Sequence, residues 1–408
     1  MSRPVAHLMS RFPLVSETFI LNEILGLERL GLRVEVFPLV RERAEVTHPE
    51  AAALVARAHY PPLNRELLAA QLHWLRKAPR RYARAWRRAL VGNARSLRFL
   101  LRALVVVPEA AWFAREMQRL DVRHVHAHYA THPALAAYVV HLLTGLPYSI
   151  TVHAHDIYVE RTMLEEKVRS SALIVAISEY NRDLLTRLYG DDVRAKTRVV
   201  RTGADLGVFK PERSKVASAP EDRTRPWTVV CVASLQDYKG HPHLIDACAR
   251  LVEDGVELRC ICVGEGQDRP ALEEQIRARG LEGVVVLAGA QPRQRVAELL
   301  GSADAFVLPS IVTASGKMEG IPVALMEALA METPVVATDI SGIGELVENG
   351  VTGFLVPQRD AAALARALHE LHDDPARGAA LAAEGRRRVL EEYDLERNVA
   401  ALHALLTR

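Results

Sequence analysis

Short apolar runs alternate with longer amphipathic stretches from one end of the chain to the other, which is the pattern of repeated βαβ units building parallel sheets. Two such series follow one another. The first places strands near Val5–Met9, Val34–Leu39, His124–His128, Ser149–Val152, Leu173–Ile177 and Arg198–Arg201, with helical segments between them. A polar stretch, PERSKVASAPEDRTRP, then has the composition of a linker. The second series places strands at Thr228–Ala233, Glu257–Val263, Val284–Ala288, Ala305–Leu308, Pro334–Ala337 and Gly353–Val356, enough for one complete doubly wound sheet.

The fold class expected is therefore α/β, with two Rossmann-like, doubly wound parallel-sheet domains facing a cleft. The first domain is assigned residues 1–210, the linker 211–226 and the second domain 227–390. Helical stretches run from about Ala361 to Leu406, and residues 391–408 are read as a helix that either closes the second domain or crosses back to the first. One segment interrupts the alternation, a helical insert over about residues 63–120. Between Leu67 and Pro108 it has no acidic residue, while Arg76, Lys77, Arg80, Arg81, Arg84, Arg87, Arg88, Arg95, Arg98 and Arg102 lie among Leu, Trp, Tyr and Phe. Two readings stand side by side: a solvated hairpin covering the first domain, and a patch that docks on anionic lipid headgroups.

Composition narrows the picture without changing it. With 408 residues, 49% of them hydrophobic, the chain can bury a core in each of two domains. The 52 Lys and Arg are nearly matched by 50 Asp and Glu, so charge makes no case for a nucleic-acid partner. Four cysteines, Cys231, Cys248, Cys260 and Cys262, form neither a disulfide framework nor a CxxC pair. A cytoplasmic location fits that usage. The N-terminal residues MSRPVAHLMSRFP contain no long apolar stretch, and no run of about eighteen apolar residues occurs, so neither export nor a membrane span is expected.

Open parallel sheets bind ligands outside the carboxyl ends of their strands, which directs attention to the loops there. The strongest signal is the segment EGIPVALME from Glu319 to Glu327, after the strand AFVL. Pro322 suits the first position of a helix, and the backbone N–H groups around Gly320, Ile321, Val323 and Ala324, with the positive end of the helix dipole, suit a diphosphate. The helix is apolar all round, so it should be buried. Glu327 inside it needs a partner, either ligand hydroxyls or a core cation. Lys239, in ASLQDYKG at the end of another strand, can neutralise a phosphate or be a surface turn lysine. VGEG at Val263–Gly266 permits close backbone approach, and Thr338-Asp339 and Ser341-Gly342 end a further strand. In the first domain, TVHAHDIY brings His153, His155 and Asp156 to a strand end, and HVHAHYATH clusters His124, His126, His128 and His132. Alternating histidines invite a metal reading, but no carboxylate or Cys completes a ligand set at typical spacing. One substrate-facing His among packed and hydrogen-bonded ones is the reading preferred.

Together these positions resemble retaining glycosyltransferases of family 4. The resemblance covers most of the chain. It rests on the EX7E motif of Glu319 and Glu327, on Lys239-Gly240, on TVHAHD around His153, and on RTGADLGVF at Arg201–Phe209 in place of the family's NGVD-like segment. FPLVSETFI and EGIPVALMEALAMETPVVAT look most like the colanic-acid and exopolysaccharide subset. The resemblance implies the GT-B fold, with Glu319 at the donor-sugar hydroxyls, Glu327 at the ribose, Lys239 at the diphosphate and the backbone from Gly320 to Val323 at sugar and phosphates. His153 would sit against the donor sugar from the other domain. It also implies a reaction that retains anomeric configuration and needs no bound metal or other cofactor, so Lys239 and helix dipoles must stabilise the leaving diphosphate. One departure stands out: Ser234 occupies a position where many members carry a phosphate-binding Arg, and Arg201 is the candidate to replace it.

The expected function is transfer of a hexose from a nucleotide sugar, UDP-linked, to a saccharide on a lipid carrier in exopolysaccharide or other cell-surface glycan synthesis. The protein would sit on the inner face of the plasma membrane. Ser16, Glu17 and Asp156 are acceptor-side candidates. The alternatives are a GT-B isomerase of UDP-sugars and an inactive nucleotide-sugar-binding subunit.

Overall fold

The computed structural model describes residues 3–13, 18–42, 49–211 and 225–407. They form two compact units, one comprising Met1–Val200 with Val399–Arg408, the other Arg201–Asn398. The polar stretch read as a linker lies mostly outside the described residues, as do Ser16 and Glu17.

Each unit is built on six strands. In the first they are β1 (Val5–Phe12), β2 (Val34–Arg41), β3 (His124–His128), β4 (Tyr148–Val152), β5 (Leu173–Ala176) and β6 (Thr197–Val199). All neighbours pair in parallel, in the order β2-β1-β3-β4-β5-β6. The second unit has β7 (Trp227–Val232), β8 (Leu258–Val263), β9 (Val285–Gly289), β10 (Ala305–Leu308), β11 (Val335–Thr338) and β12 (Phe354–Val356). They too pair in parallel, in the order β12-β11-β10-β7-β8-β9. The sequences explain the arrangement: YSITV of β4, AFVL of β10 and VVAT of β11 are buried along their whole length, as strands covered by helices on both faces must be. Strand order reverses between β1 and β3 in the first sheet and between β7 and β10 in the second. Those reversals open a crevice beyond the strand ends, where doubly wound sheets hold their ligands.

The basic insert forms three helices between β2 and β3, Arg65–Lys77, Pro79–Asn93 and Leu97–Arg119. Asn64 caps the first of them by accepting from the Glu66 N–H at 2.8 Å. Ala70, Trp74, Tyr82, Ala85, Ala89, Phe99 and Ala103 turn inward, and the Trp74 indole donates to the Ala111 carbonyl at 2.8 Å. All ten basic residues from Arg76 to Arg102 remain exposed.

The boundary between the units falls after Val200 and not after residue 210. Ala204 accounts for this, because its N–H donates to the Tyr393 carbonyl at 2.9 Å and its carbonyl accepts from the Leu395 N–H at 3.1 Å, which fastens Arg201–Lys210 to the second unit. The terminal helix Leu395–Leu406 begins in the second unit and ends in the first. There Val399 packs so closely on Gly26 that a Cβ added at Gly26 would lie 2.8 Å from a Val399 methyl group. The Leu406 carbonyl accepts from Arg123 at 3.0 Å.

Candidate functional site

The second unit concentrates its candidate chemistry at its switch point, between the loops that follow β7 and β10. After β7 the chain makes one 3-10 turn, Asp237–Lys239, and passes through Gly240 in the left-handed conformation, φ 71°, into the helix His241–Glu253. A side chain at Gly240 has no room, since its Cβ would lie 1.9 Å from the Pro309 carbonyl oxygen. Gly264 in VGEG is similarly confined against the Ala233 carbonyl, so these glycines let backbone pack on backbone under the Lys239 loop.

The loop after β10 is pinned from several sides. Thr338 Oγ1 donates to the Ser310 carbonyl at 2.5 Å, Gln358 accepts from the Val312 N–H at 2.7 Å, and Ser341 Oγ donates to the Gly320 carbonyl at 3.1 Å. This holds Glu319 where its carboxylate meets the Lys239 ammonium in an ion pair, with Ser310 Oγ at 3.5 Å. Both side chains are only about one-eighth exposed. Burial disfavours the charge of Lys239, but the Glu319 carboxylate outweighs it and holds the lysine pKa above its ordinary value.

Pro322 is the N-cap of the helix Val323–Ala330, one position earlier than the first helical residue expected for it, and makes no side-chain capping bond. The helix is not buried all round either. Leu325, Met326, Ala328, Leu329 and Ala330 are buried, while Val323, Ala324 and Glu327 keep partial exposure on one face. Glu327 has its pKa pushed up to about 8, chiefly by burial, with Arg293 opposing and Asp205 adding to the shift. Burial thus favours its protonated form, which can both donate and accept.

Two features here escaped the sequence reading. Arg293 and Asp205 form an ion pair at 3.1 Å, with the guanidinium over the Phe209 ring, and both bear on Glu327 from elements far apart in the chain. The available signal was the position of Arg293 just beyond β9. Lys317, two residues before Glu319, lies 4.2 Å from the Tyr238 ring centroid and 3.0 Å from Gln236 Oε1, and Lys239 lies 5.0 Å from the same ring. Arg201, by contrast, is turned elsewhere. It contacts Glu345 at 3.2 Å, Glu392 at 3.6 Å and the Tyr393 hydroxyl at 3.3 Å, so its guanidinium is engaged within its own unit.

In the first unit His153 directly follows β4, with its ring 4.4 Å from Tyr129, 5.1 Å from Phe19 and 5.9 Å from His128. Its Nε2 meets no partner among the described residues, and burial, with His128 beside it, holds its pKa well below the usual value. The ring is therefore neutral. Asp156 is fully buried and spends its carboxylate on the backbone N–H groups of Ala130, His153 and Ala154, at 2.8, 3.1 and 2.9 Å. It clamps the loop carrying His153 rather than standing open on the acceptor side as expected.

The family model for glycosyl transferases group 1 matches residues 213–388. The chain is 31% identical over 392 residues to WcaL of Escherichia coli K12, named for colanic acid biosynthesis, covering 89% of each. It is 31% identical over 407 residues to the amylovoran biosynthesis glycosyltransferase AmsK of Erwinia amylovora, covering 94% of each. Among solved structures, HepE of Anabaena in complex with UDP superposes with a TM-score of 0.73 at 17% identity over 99% of both chains, which speaks for the fold. The two six-stranded parallel sheets with flanking helices are those of the GT-B architecture. With a pinned EX7E segment, a lysine paired to its first glutamate and relatives alike over nearly their whole length, this chain belongs to the group 1 glycosyl transferases.

Proposed function

We propose that the protein transfers a hexose from UDP-sugar to a lipid-linked saccharide in exopolysaccharide synthesis, with retention of anomeric configuration and by a metal-independent transfer. The observation that carries this reading is the Lys239–Glu319 pair beside the N-terminus of the helix Val323–Ala330. An ammonium and a helix N-terminus supply positive charge to a leaving diphosphate. A diphosphate entering there draws Lys239 toward itself and releases Glu319 to accept from sugar hydroxyls. In its protonated form Glu327 meets the ribose, donating to one oxygen and accepting from another hydroxyl. Lys317 shares the Tyr238 ring with Lys239 and takes the phosphate role that Ser234 cannot fill. The UDP assignment is supported by HepE, which was solved with UDP. His153, as the sugar-facing group of the first unit, rests on the resemblance of TVHAHD to the family pattern.

The lipid-linked acceptor and the membrane surface draw support from the insert. Of fifteen large apolar side chains left exposed among the described residues, nine lie between Leu63 and Val105. Leu68, Leu72 and Leu75 form a stripe on one helix, and Leu97, Leu101, Leu104 and Val105 form one on another, interspersed with the ten basic residues. Apolar stripes rimmed by arginine suit the boundary of an anionic bilayer.

The deciding experiment is UDP release from a panel of nucleotide sugars, first alone and then with a membrane-lipid extract, comparing wild type with Glu319→Ala. Release that depends on Glu319 and rises with the extract is the expected outcome. Conversion of the donor to another sugar nucleotide without an acceptor would identify an isomerase, and binding without release an inactive subunit; either overturns the proposal.

A further inference from the structure

The first unit buries a second group of chemically capable side chains, at its own switch point. His7 on β1 pairs in register with His126 on β3, and His128 lies two residues further on the same face of the sheet. The His7 ring is 5.0 Å from that of His126 and 5.5 Å from that of His128, and all three are fully buried.

Their nitrogens are used differently. His126 is satisfied on both sides, Nδ1 facing Ser149 Oγ at 2.7 Å and Nε2 facing Thr151 Oγ1 at 2.9 Å. His7 and His128 have no hydrogen-bond partner on either nitrogen among the described residues. Neither has Oε1 of Glu23, from the helix Thr18–Arg29, although it lies 3.2 Å from His128 Nε2. Unpaired polar atoms gathered in one buried place are costly unless something occupies the space between them. One donor atom from each of His7, Glu23 and His128 lies within 4.8 Å of the others.

We propose that His7, His128 and Glu23 hold one divalent transition-metal ion, Zn2+ by donor set, with the fourth position left to water. Two imidazole nitrogens and one carboxylate oxygen are a set zinc takes when one position stays open, at about 2.0–2.2 Å from each donor. Glu23 retains some exposure and provides both the compensating charge and the way in. The ion would tie β1, β3 and the helix Thr18–Arg29 together, with the His153 ring 5.9 Å from that of His128. It positions that end of the sheet and takes no part in the transfer proposed above. Nothing in this assignment depends on that function.

The test uses the untagged full chain, stripped of metal and titrated with Co2+. One Co2+ per chain with visible d–d absorption, displaced by one equivalent of Zn2+, is expected. Zn2+ at a hundredfold excess over its Kd should raise Tm by roughly 5 °C or more. Glu23→Gln and His7→Gln should each weaken uptake at least tenfold. The control is His369→Ala/His372→Ala, because His369, His372 and Asp373 form a separate exposed group able to bind the probe; it should leave the signal unchanged. Wild type that takes up no Co2+ overturns the proposal, as does a signal lost in the His369/His372 variant and kept in Glu23→Gln. Should His7→Gln fail to fold, the wild-type titration and the partly exposed Glu23 decide the matter.

Discussion

Gly240 and Pro309 touch backbone to backbone, so closely that a single methyl group on Gly240 would stand 1.9 Å from the Pro309 carbonyl oxygen. The contact joins the two loops that carry Lys239 and Glu319. Gly240→Ala must either push those loops apart or rotate out of a left-handed backbone that alanine disfavours by about 1 kcal/mol. It is expected to lower stability by roughly 2 kcal/mol and UDP affinity at least tenfold, read by urea unfolding and by calorimetric titration with UDP.

Lys239 and Glu319 are coupled, so their substitutions should not add. Lys239→Met leaves a nearly buried carboxylate without its cation, a loss on the order of 3 kcal/mol. Replacing both, as Lys239→Met/Glu319→Gln, should recover much of it, while turnover stays lost in every variant. A double-mutant cycle in denaturant measures the coupling, and simple additivity would count against the pair as drawn.

Glu327 gives the protein a dependence on pH with a definite sign. Its folded pKa lies near 8, above the unfolded value, so the folded state holds a proton that the unfolded state gives up. Its contribution is therefore present at pH 4 and declines as pH rises from about 4.5 to 8. Glu327→Gln removes that slope: relative to wild type, the variant should gain stability steadily between pH 5 and 8, followed by Tm against pH.

Lys317 and Arg201 are distinguished by donor affinity. Lys317→Gln should weaken UDP binding several-fold, because it removes a cation beside Tyr238. Arg201→Ala should leave UDP affinity unchanged and lower stability, since it opens contacts to Glu345, Glu392 and Tyr393.

Flotation with vesicles tests the insert. Binding to vesicles containing anionic lipid should fall with salt, as headgroup attraction is screened. Arg84→Glu/Arg87→Glu should abolish it, and Leu72→Ser/Leu101→Ser should weaken it at every salt concentration.

Most of the strands were legible because a strand buried on both faces is largely apolar, and His124–His128 and Ala305–Leu308 begin and end where their sequences place them. Glu319, Lys239 and Gly240 drew attention for a related reason: each lies in a loop that follows a strand, and the loops beyond strand ends are where such sheets hold ligands. What escaped depends on contacts between distant segments. No local pattern joins Ser341 to Gly320 or Arg293 to Asp205, and the occupation of Arg201 by Glu345 and Glu392 arises from segments 144 and 191 residues away in sequence. The helix Val323–Ala330 looked buried all round because its residues are apolar, yet apolar residues also line the face that the fold leaves open.

The packing of Val399 on Gly26 has a consequence for the order in which the protein comes together. Translation delivers Met1–Val200 first and Val399–Arg408 only after the entire second unit has been made. The first unit must therefore wait on the ribosome with its Gly26 face bare, while the second completes its own sheet. Biogenesis thus runs against the numbering: the unit begun first is the one finished last.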